Sequence, residues 1–250
     1  MSTTQTGSFP TAAVDWLSPS RPGEVLAVGA GGPVVRRLLS DGNALYVVDQ
    51  DPAVLARQRA RYPSLRAVMA SAHALPFATC VFAAVTVSSA MRELAPGLAL
   101  AEFARVLVPG GYLAVHHTAR DDSVPWVRRL AAILRAVDPS AMSGTGDAAV
   151  GIPDKCSFFP RVEERQFRMW VPRRKDDLIA DVTKMDSVAR LDPSAMAALV
   201  ADVGQLYDAS ARAPEPLLLP YTVTCWRAEV DHRGLNASRR SASDGFRITF

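Results

Sequence analysis

A glycine-rich segment near the amino end constrains the fold of this chain more than any other feature. Residues 25–39 read VLAVGAGGPVVRRLL, and residues 45–52 read LYVVDQDP. The pattern predicts a buried strand, a tight glycine turn, a helix, and a second strand that ends on the carboxylate of Asp49. This order is the first half of a nucleotide-binding βαβ unit, and such a unit requires a parallel sheet.

The rest of the sequence continues this alternation of strands and helices. Short runs rich in Val, Leu and Ala predict strands at 25–29, 44–48, 66–69, 83–88, 111–116, near 165–171 and at 217–230. Helices are predicted at 34–40, 52–61, 97–107, 124–136, 174–186 and 193–207. For the helix at 52–61, Asp51 is the expected N-cap and Pro52 the first helical residue. We therefore predict an α/β fold with a mostly parallel sheet and helices on both faces.

One domain is expected over residues 1–230, because 250 residues suit a single α/β domain with a small appended lobe. Within it, 12–137 form the predicted cofactor-binding half, 138–216 a helical cap that selects the substrate, and 217–230 the last strand. Residues 231–250 are predicted to be a disordered basic tail, since Ser, Arg and Gly dominate there.

Charge and cysteine content exclude several classes of protein. The formal net charge is +3, of which the tail supplies +2 (four arginines minus two aspartates), and no basic stripe in the body indicates a nucleic-acid binder. Cys80, Cys156 and Cys225 lack disulfide or metal-ligand spacing, so we expect mostly buried thiols, no metal site and a cytoplasmic location. The amino-terminal residues do not read as a secretion signal, and no apolar run is long enough to span a membrane. A monomer or weak homodimer without nucleic-acid or membrane partners is expected.

The glycine turn and the acid that follows it predict a ligand site at the carboxyl edge of the sheet. Gly29 and Gly31 let the backbone approach a ligand closely, and the helix behind them presents free N–H groups to an anionic group. Asp49 follows Gly29 by 20 residues, where it can accept hydrogen bonds from ribose hydroxyls. A purely structural interpretation is also open, in which the glycines make a tight turn and Asp49 starts a helix. A nicotinamide dinucleotide and S-adenosylmethionine both fit this much, although the dinucleotide motif needs Gly or Ala where Val34 stands.

Later motifs decide between these two cofactors. Residues 102–113 read EFARVLVPGGYL, residues 75–77 read Leu-Pro-Phe, and residues 220–228 read PYTVTCWRA. With these motifs the chain resembles class I S-adenosylmethionine-dependent methyltransferases of the small type 11 kind, common in actinobacteria. The resemblance extends from about residue 12 to residue 230, and RVLVPGG is its most specific piece.

The resemblance implies a Rossmann-like methyltransferase fold, S-adenosylmethionine as cofactor, and methyl transfer to a small-molecule acceptor. The cofactor-binding residues it implies are Gly29, Ala30, Gly31, Asp49, Gln50, Ser71, Ala72, His73 and Ser88. Glu102 and Arg105 are expected to tie their helix to the sheet without taking part in catalysis. Because methyl transfer needs mainly alignment of the reactants, few catalytic residues are expected. His117 is a candidate base, although His116 and His117 also fit one buried and one exposed strand residue.

Four positions depart from the family pattern and leave other interpretations open. Ala27 stands where an acid is usual, Pro33 where a third glycine is usual, Ser71 where an aspartate that meets the adenine is usual, and Ala83 where an aspartate usually follows Phe. Two lost charged hydrogen bonds would forfeit roughly 3–6 kcal/mol, against about 8 kcal/mol for a micromolar ligand. One alternative is therefore a degenerate relative with weak or no cofactor binding that acts as a binding or scaffold module. The other alternative is a nucleotide-binding oxidoreductase.

The predicted cap and its surroundings carry weaker signals. A set of apolar residues either lines a pocket for an apolar acceptor or packs in the core: Phe158, Phe159, Phe167, Met169 and Trp170. His73 likewise either approaches the adenine or is an ordinary surface histidine.

Overall fold

The computed structural model describes residues 5–6, 9–29, 32–88, 96–139, 151–152, 156–212 and 216–233. The strands are β1 (Gln5–Thr6), β2 (Glu24–Val28), β3 (Ala44–Asp49), β4 (Arg66–Met69), β5 (Phe82–Ser88), β6 (Leu107–Arg120), β7 (Val162–Arg173) and β8 (Leu217–Glu229). The helices are α1 (Thr11–Leu17), α2 (Pro33–Ser40), α3 (Pro52–Arg61), α4 (Pro96–Val106), α5 (Pro125–Val137), α6 (Lys175–Thr183), α7 (Asp186–Ala189) and α8 (Pro193–Ser210).

Two compact units make up the chain. The larger unit consists of Thr11–His117, Ala148–Gln166 and Thr224–Phe250. The smaller unit consists of Met1–Pro10, Thr118–Asp147 and Phe167–Val223. β6, β7 and β8 therefore contribute residues to both units, and the domain boundaries expected near 138 and 217 stay a prediction.

The described strands of the larger unit follow the order β7-β8-β6-β5-β2-β3-β4. β6, β5, β2, β3 and β4 pair in parallel, so their carboxyl ends lie at one edge. β8 runs antiparallel to β6, because Gly111 bonds Val230 whereas Asp121, ten residues later, bonds Pro220, ten residues earlier. The predicted α/β fold with a mostly parallel sheet is confirmed.

The centre of this sheet is buried on both faces. Four of the five residues of β2 and five of the seven of β5 are buried, as expected for parallel strands covered by helices. β3 and β4 follow on one side of β2, whereas β5 and β6 lie on the other. The chain therefore changes direction between β2 and β5, which is the place where open α/β sheets bind ligands.

Local sequence explains where several elements begin and end. α3 covers Pro52–Arg61 as predicted, and the Asp51 carboxylate caps it by accepting the Ala53 N–H at 2.8 Å. Pro33 is the first residue of α2, where its missing N–H costs no helical hydrogen bond. The helix predicted at 174–186 is instead two, α6 and α7. Neither α1, with seven residues, nor β1, with two, was predicted, because such short elements show no period.

The motif RVLVPGG joins α4 to β6. β6 begins at Leu107, which pairs with Phe82, and a shift of register then interrupts the ladder. A Cβ on Gly111 would lie 2.8 Å from the carbonyl oxygen of Val108 and 3.1 Å from that of Ala83. Only glycine fits this close approach of backbones, which explains the second glycine of the motif. β6 starts at Leu107, before the predicted residue 111, because it pairs with β5 on both sides of this shift of register.

Each unit has its own apolar core. In the larger unit Phe159 is fully buried and Phe158 packs against the same cluster, so both are core residues. In the smaller unit, helices α5 to α8 enclose a second cluster: Leu130, Leu134, Leu178, Val182, Val188, Leu199, Val203 and Leu206. Phe167, Met169 and Trp170 are half-buried residues of β7, which pairs in parallel with β1.

The cysteines differ from expectation. Cys225 is buried, and burial raises the pKa of its thiol to about 12. Cys156 is half-buried and Cys80 is exposed, so the prediction of mostly buried thiols is wrong. Cys80 is exposed because it lies in the turn before β5, where its backbone adopts a φ of +57°. Among the helices that the structure describes, none combines the length and apolar character needed to cross a membrane.

The first residues of the predicted basic tail pack on the larger unit. The Asp231 N–H donates to the Phe158 carbonyl oxygen at 2.8 Å. His232 Nε2 lies 3.1 Å from the carbonyl oxygens of both Ala104 and Leu107, near the end of α4. Residues 234–250 lie outside the described part of the chain, and their disorder stays a prediction.

Candidate functional site

Parallel pairing brings most of the predicted site residues to the carboxyl edge of the larger unit. Gly29, Asp49 and Ser88 each follow a valine of one row that runs across β3, β2 and β5. His116 lies directly opposite Ser88 in the neighbouring strand. β4 ends beside Asp49 and leads into the turn at 71–74. The ends of β2, β3 and β5, His116 of β6 and the turn after β4 thus meet at a single edge.

Gly29 marks the point where the chain leaves β2. Its N–H donates to the Val48 carbonyl oxygen at 3.3 Å, and its φ of +78° is a left-handed conformation that favours glycine. The predicted site residues Ala30 and Gly31 lie outside the described residues. α2 starts after Gly32 without a side-chain cap, so the N–H groups of its first turn remain for water or a ligand.

Asp49 is separate from the start of the next helix. One of its carboxylate oxygens, Oδ1, accepts the Asp51 N–H at 2.9 Å, and Asp51 itself caps α3. Oδ2 of Asp49 has no hydrogen-bond partner in the part of the chain that the structure describes. The side chain is half-exposed and the following Gln50 is exposed. The interpretation that Asp49 merely starts a helix is therefore wrong, because Asp51 does so.

The turn after β4 presents backbone groups more than side chains. The Ser71 hydroxyl accepts the His73 N–H at 3.2 Å, and the Ser71 carbonyl accepts the Ala74 N–H at 3.1 Å. The Ala72 side chain is buried in the core, so only its backbone can meet a ligand. His73 is half-buried. Because Ser71 is the acceptor in its own turn, its hydroxyl proton is directed elsewhere and can be donated to a ligand.

A charged pair on α4 holds the loop that follows this turn. Arg105 donates to Glu102 Oε1 at 2.7 Å and Oε2 at 2.8 Å, and to the carbonyl oxygens of Phe77 at 2.7 Å and Leu75 at 3.0 Å. Glu102 also accepts the Leu75 N–H at 2.8 Å. The hydrogen bond from Arg105 lowers the pKa of Glu102 below its ordinary value. The pair ties α4 to the loop at 75–77, and the expected direct link from helix to sheet is corrected accordingly.

Aromatic packing fixes the same loop from the other side. Phe77 contacts Tyr46 and Phe82 edge to face, with ring centroids 5.6 Å and 5.0 Å apart. Tyr46 in turn contacts Phe82 at 5.3 Å. The loop position is therefore set by both hydrogen bonds and a three-ring cluster, and this loop directly follows the turn at 71–74.

His116 and His117 occupy adjacent positions near the end of β6. His116 is buried, and that burial, with a smaller effect of His117, lowers its pKa to about 4. His117 is half-buried, yet both of its ring nitrogens are buried without a hydrogen-bond partner among the described residues. The expectation of one buried and one exposed histidine is thus only half right. In the described residues, no group of three or more His, Cys, Asp and Glu side chains could hold a metal ion.

A small cavity of about 10 Å³ lies beside Gly29 at the end of β2. Its lining consists of Ala27, Val28, Gly29, Val34, Val35, Thr86, Ser88 and His116. Thr86 is 5% exposed, and its hydroxyl has no hydrogen-bond partner among the described residues. Sequence reasoning missed Thr86, although a lone hydroxyl in the apolar run VFAAVTV was the available signal.

The four departures from the family pattern differ in their relation to this edge. Ala27 lines the cavity and is buried, whereas Pro33 begins α2. Ser71 is part of the turn after β4. Ala83 lies near the start of β5, five residues before Ser88, which places it about 16 Å from the carboxyl edge. The departure at Ala83 therefore has no direct bearing on a ligand bound at that edge.

Comparison with other sequences identifies relatives of the chain. Residues 26–115 match a family described as a methyltransferase domain. An uncharacterized methyltransferase of Mycobacterium tuberculosis is 31% identical over 227 residues, covering 88% of this chain and 89% of the relative. A demethylmenaquinone methyltransferase of Beutenbergia cavernae is 39% identical over 110 residues, covering 43% of this chain and 45% of that protein.

Comparison with solved structures concerns the fold alone. A protein from Anaeromyxobacter dehalogenans, described as a type II methyltransferase, has a TM-score of 0.61 at 20% identity and covers 89% of this chain and 96% of its own. The match to the domain family, over residues 26–115, lies within the larger unit. The predicted Rossmann-like methyltransferase fold is confirmed.

Proposed function

The chain belongs to the class I methyltransferases, and on that premise we propose that it is an S-adenosylmethionine-dependent enzyme that methylates a small molecule. One observation carries the proposal. The left-handed backbone of Gly29, a carboxylate oxygen without a partner among the described residues, and a polar turn follow β2, β3 and β4 at one edge. These three groups suit the three parts of the cofactor, which are its amino-acid end, its ribose and its adenine.

The residues present fit this cofactor. Asp49 would accept hydrogen bonds from ribose hydroxyls with its second oxygen, because the first already holds the Asp51 N–H. Ser71 and the backbone of Ala72 and His73 would face the adenine. Gly29 has no Cβ, so the backbone at the end of β2 can approach the amino-acid end closely. Backbone groups thus replace part of what an aspartate at position 71 would supply.

Methyl transfer requires few reactive groups from the protein itself. When bound, the cofactor supplies a sulfonium-linked methyl group, which the acceptor's lone pair takes as the carbon–sulfur bonding electrons return to sulfur. The protein's part is to hold the acceptor in line and to remove a proton when the acceptor carries one. His117 stays the candidate base, because both of its ring nitrogens lack a hydrogen-bond partner among the described residues.

Calorimetric titration with S-adenosylmethionine and S-adenosylhomocysteine tests the proposal. We expect micromolar binding to the wild-type protein and at least about tenfold weaker binding to Asp49→Asn, which keeps the shape of the side chain but removes its charge. Asp51→Asn is the matched control, because Asp51 lies two residues away at the same edge but caps α3. Its affinity should stay within about threefold of wild type, after thermal melting shows that each variant is folded.

The outcomes of this titration distinguish a working methyltransferase from a relative that has lost cofactor binding. Equal weakening by both substitutions would indicate a general electrostatic effect and contradict the role of Asp49. No binding up to millimolar concentration by the folded wild-type protein would overturn the enzyme proposal. It would favour the alternative of a degenerate relative that serves as a binding or scaffold module, for which Ala27 and Ser71 are the relevant departures. Positive binding justifies a screen of small-molecule acceptors by production of S-adenosylhomocysteine.

A further inference from the structure

Two rows of side chains share one face of the three central strands. Ala27, Thr86 and Ala114 form the first row, since Thr86 lies opposite both alanines in the strand registers. Two residues further along each strand, Gly29, Ser88 and His116 form the second row. Ala27, whose side chain is small, lines the cavity together with Thr86 and Gly29.

The Thr86 hydroxyl is the unexplained group in this cavity. It is buried with no hydrogen-bond partner among the described residues, and an unsatisfied buried hydroxyl destabilises a protein. Valine would fill the same volume in a strand whose neighbours are Val85 and Val87, and it would avoid that cost. A hydroxyl kept at such a position points to a polar group that enters the cavity from outside the protein.

The dimensions and chemistry of the cavity indicate what that group is. A volume of about 10 Å³ admits one water molecule and nothing larger. No charged side chain lines it, because His116 is neutral at pH 7 and the remaining lining residues are apolar or carry hydroxyls. Val34 and Val35 contribute the first turn of α2, whose N–H groups lack a side-chain cap. The hydroxyls of Thr86 and Ser88 and the N–H groups at the start of α2 are the polar groups available to such a water.

The position of the cavity in the sheet indicates which end of the cofactor would lie next to it. Asp49 and the turn at 71–74 belong to β3 and β4, whereas Thr86 and Ser88 belong to β5, on the other side of β2. Strands lie about 4.8 Å apart, so β5 is about 10 Å from β3. If the nucleoside lies at β3 and β4, the polar groups that remain for β2 and β5 are the ammonium and carboxylate of the amino-acid end.

We propose that Thr86 is a positioning residue which, through one water molecule in this cavity, holds the amino-acid end of the cofactor beside Gly29. The proposal rests on the proposed function and deepens it, since it assigns a role to a residue outside the expected set. It also explains how the site tolerates Ala27: the polar group has moved from β2 to the position directly opposite on β5.

Two ligands and two variants test this role by calorimetry. S-adenosylhomocysteine carries the amino-acid end, and 5′-methylthioadenosine lacks it, so the pair separates that end from the nucleoside. Thr86→Val removes the hydroxyl at nearly constant shape, and Thr86→Ser retains it. We expect Thr86→Val to weaken S-adenosylhomocysteine about tenfold and to leave 5′-methylthioadenosine within about twofold. Thr86→Ser should bind both ligands within about threefold of wild type.

A thermal melt without ligand shows whether Thr86→Val changes the stability of the protein as well as its affinity for the cofactor. Thr86→Val should melt close to the wild-type temperature, because valine keeps the volume of threonine in this strand and loses only the hydrogen bond to the cavity water. Unchanged affinity of Thr86→Val for S-adenosylhomocysteine, or equal weakening of both ligands, would overturn the role of Thr86 while leaving the proposed function intact. Failure of the wild-type protein to bind either ligand would overturn the proposed function, and the role of Thr86 with it.

Discussion

Replacing Arg105 by lysine should destabilise the protein by about 2–3 kcal/mol. The guanidinium makes four hydrogen bonds, two to Glu102 and one each to the carbonyl oxygens of Phe77 and Leu75. A lysine ammonium keeps the charge near Glu102 but cannot span both carbonyls, because its donors radiate from one nitrogen. Two lost charge-assisted bonds are together worth roughly 3–6 kcal/mol. The Arg105 side chain is 24% exposed, so water replaces part of that loss.

Urea unfolding followed by circular dichroism measures this change. The double-mutant cycle with Glu102→Gln should give a coupling energy of about 1 kcal/mol or more, because the two side chains contact each other directly. Arg37→Lys is the matched control, since Arg37 also pairs with an acid close to it in sequence, Asp41 at the end of α2, but is more exposed. It should change the urea midpoint far less. Additive effects of Arg105→Lys and Glu102→Gln, or equal losses for Arg105→Lys and Arg37→Lys, would refute the reasoning.

The pair of Glu102 and Arg105 also makes the stability of the protein depend on pH. Arg105 lowers the pKa of Glu102 below its ordinary value of 4.5. The contribution of the ionised pair to folding stability is therefore complete above pH 4.5. The contribution is lost as pH falls further, through the lowered pKa of the folded state. Glu102→Gln cannot titrate and should therefore show a flatter acid limb than wild type. An unchanged acid limb in this variant would show that other carboxylates account for the loss.

Two further predictions concern residues at and near the site. Gly111→Ala should destabilise the protein by more than about 2 kcal/mol in urea unfolding, because the added Cβ would meet two carbonyl oxygens. The control Gly110→Ala faces only the strain of a φ of +77° and should lose less stability. Equal losses of stability in the two variants would contradict the close approach of backbones at Gly111. Burial lowers the pKa of His116 to about 4, so stability should fall by up to about 3 kcal/mol as pH drops from about 6.5 to 4. His116→Gln should abolish that fall in a pH series of urea midpoints, and a retained fall would place its origin elsewhere; His73→Gln serves as the control.

Sequence reasoning succeeded where the cause of structure is local. The Asp51-Pro52 pair predicts the start of α3, since capping and a fixed φ act within two residues. Apolar runs predict the buried strands, and the spacing from Gly29 to Asp49 predicts that both lie at one edge. It failed for the elements α1 and β1, which are too short to show a period. It also failed for Cys80, whose exposure depends on the turn that surrounds it.

The amino-acid sequence by itself therefore determined the α/β class, most element positions and the methyltransferase resemblance. Tertiary structure alone decided which residues of different strands stand side by side. Nothing in the local sequence of β5 indicates that Thr86 lies opposite Ala27, or that Ala83 is remote from the edge. The pairing register of parallel strands depends on crossover connections and on packing between distant segments, and a shift of one residue would turn Thr86 to the other face. The candidate water site exists only because that register and the small neighbours of Thr86 occur together.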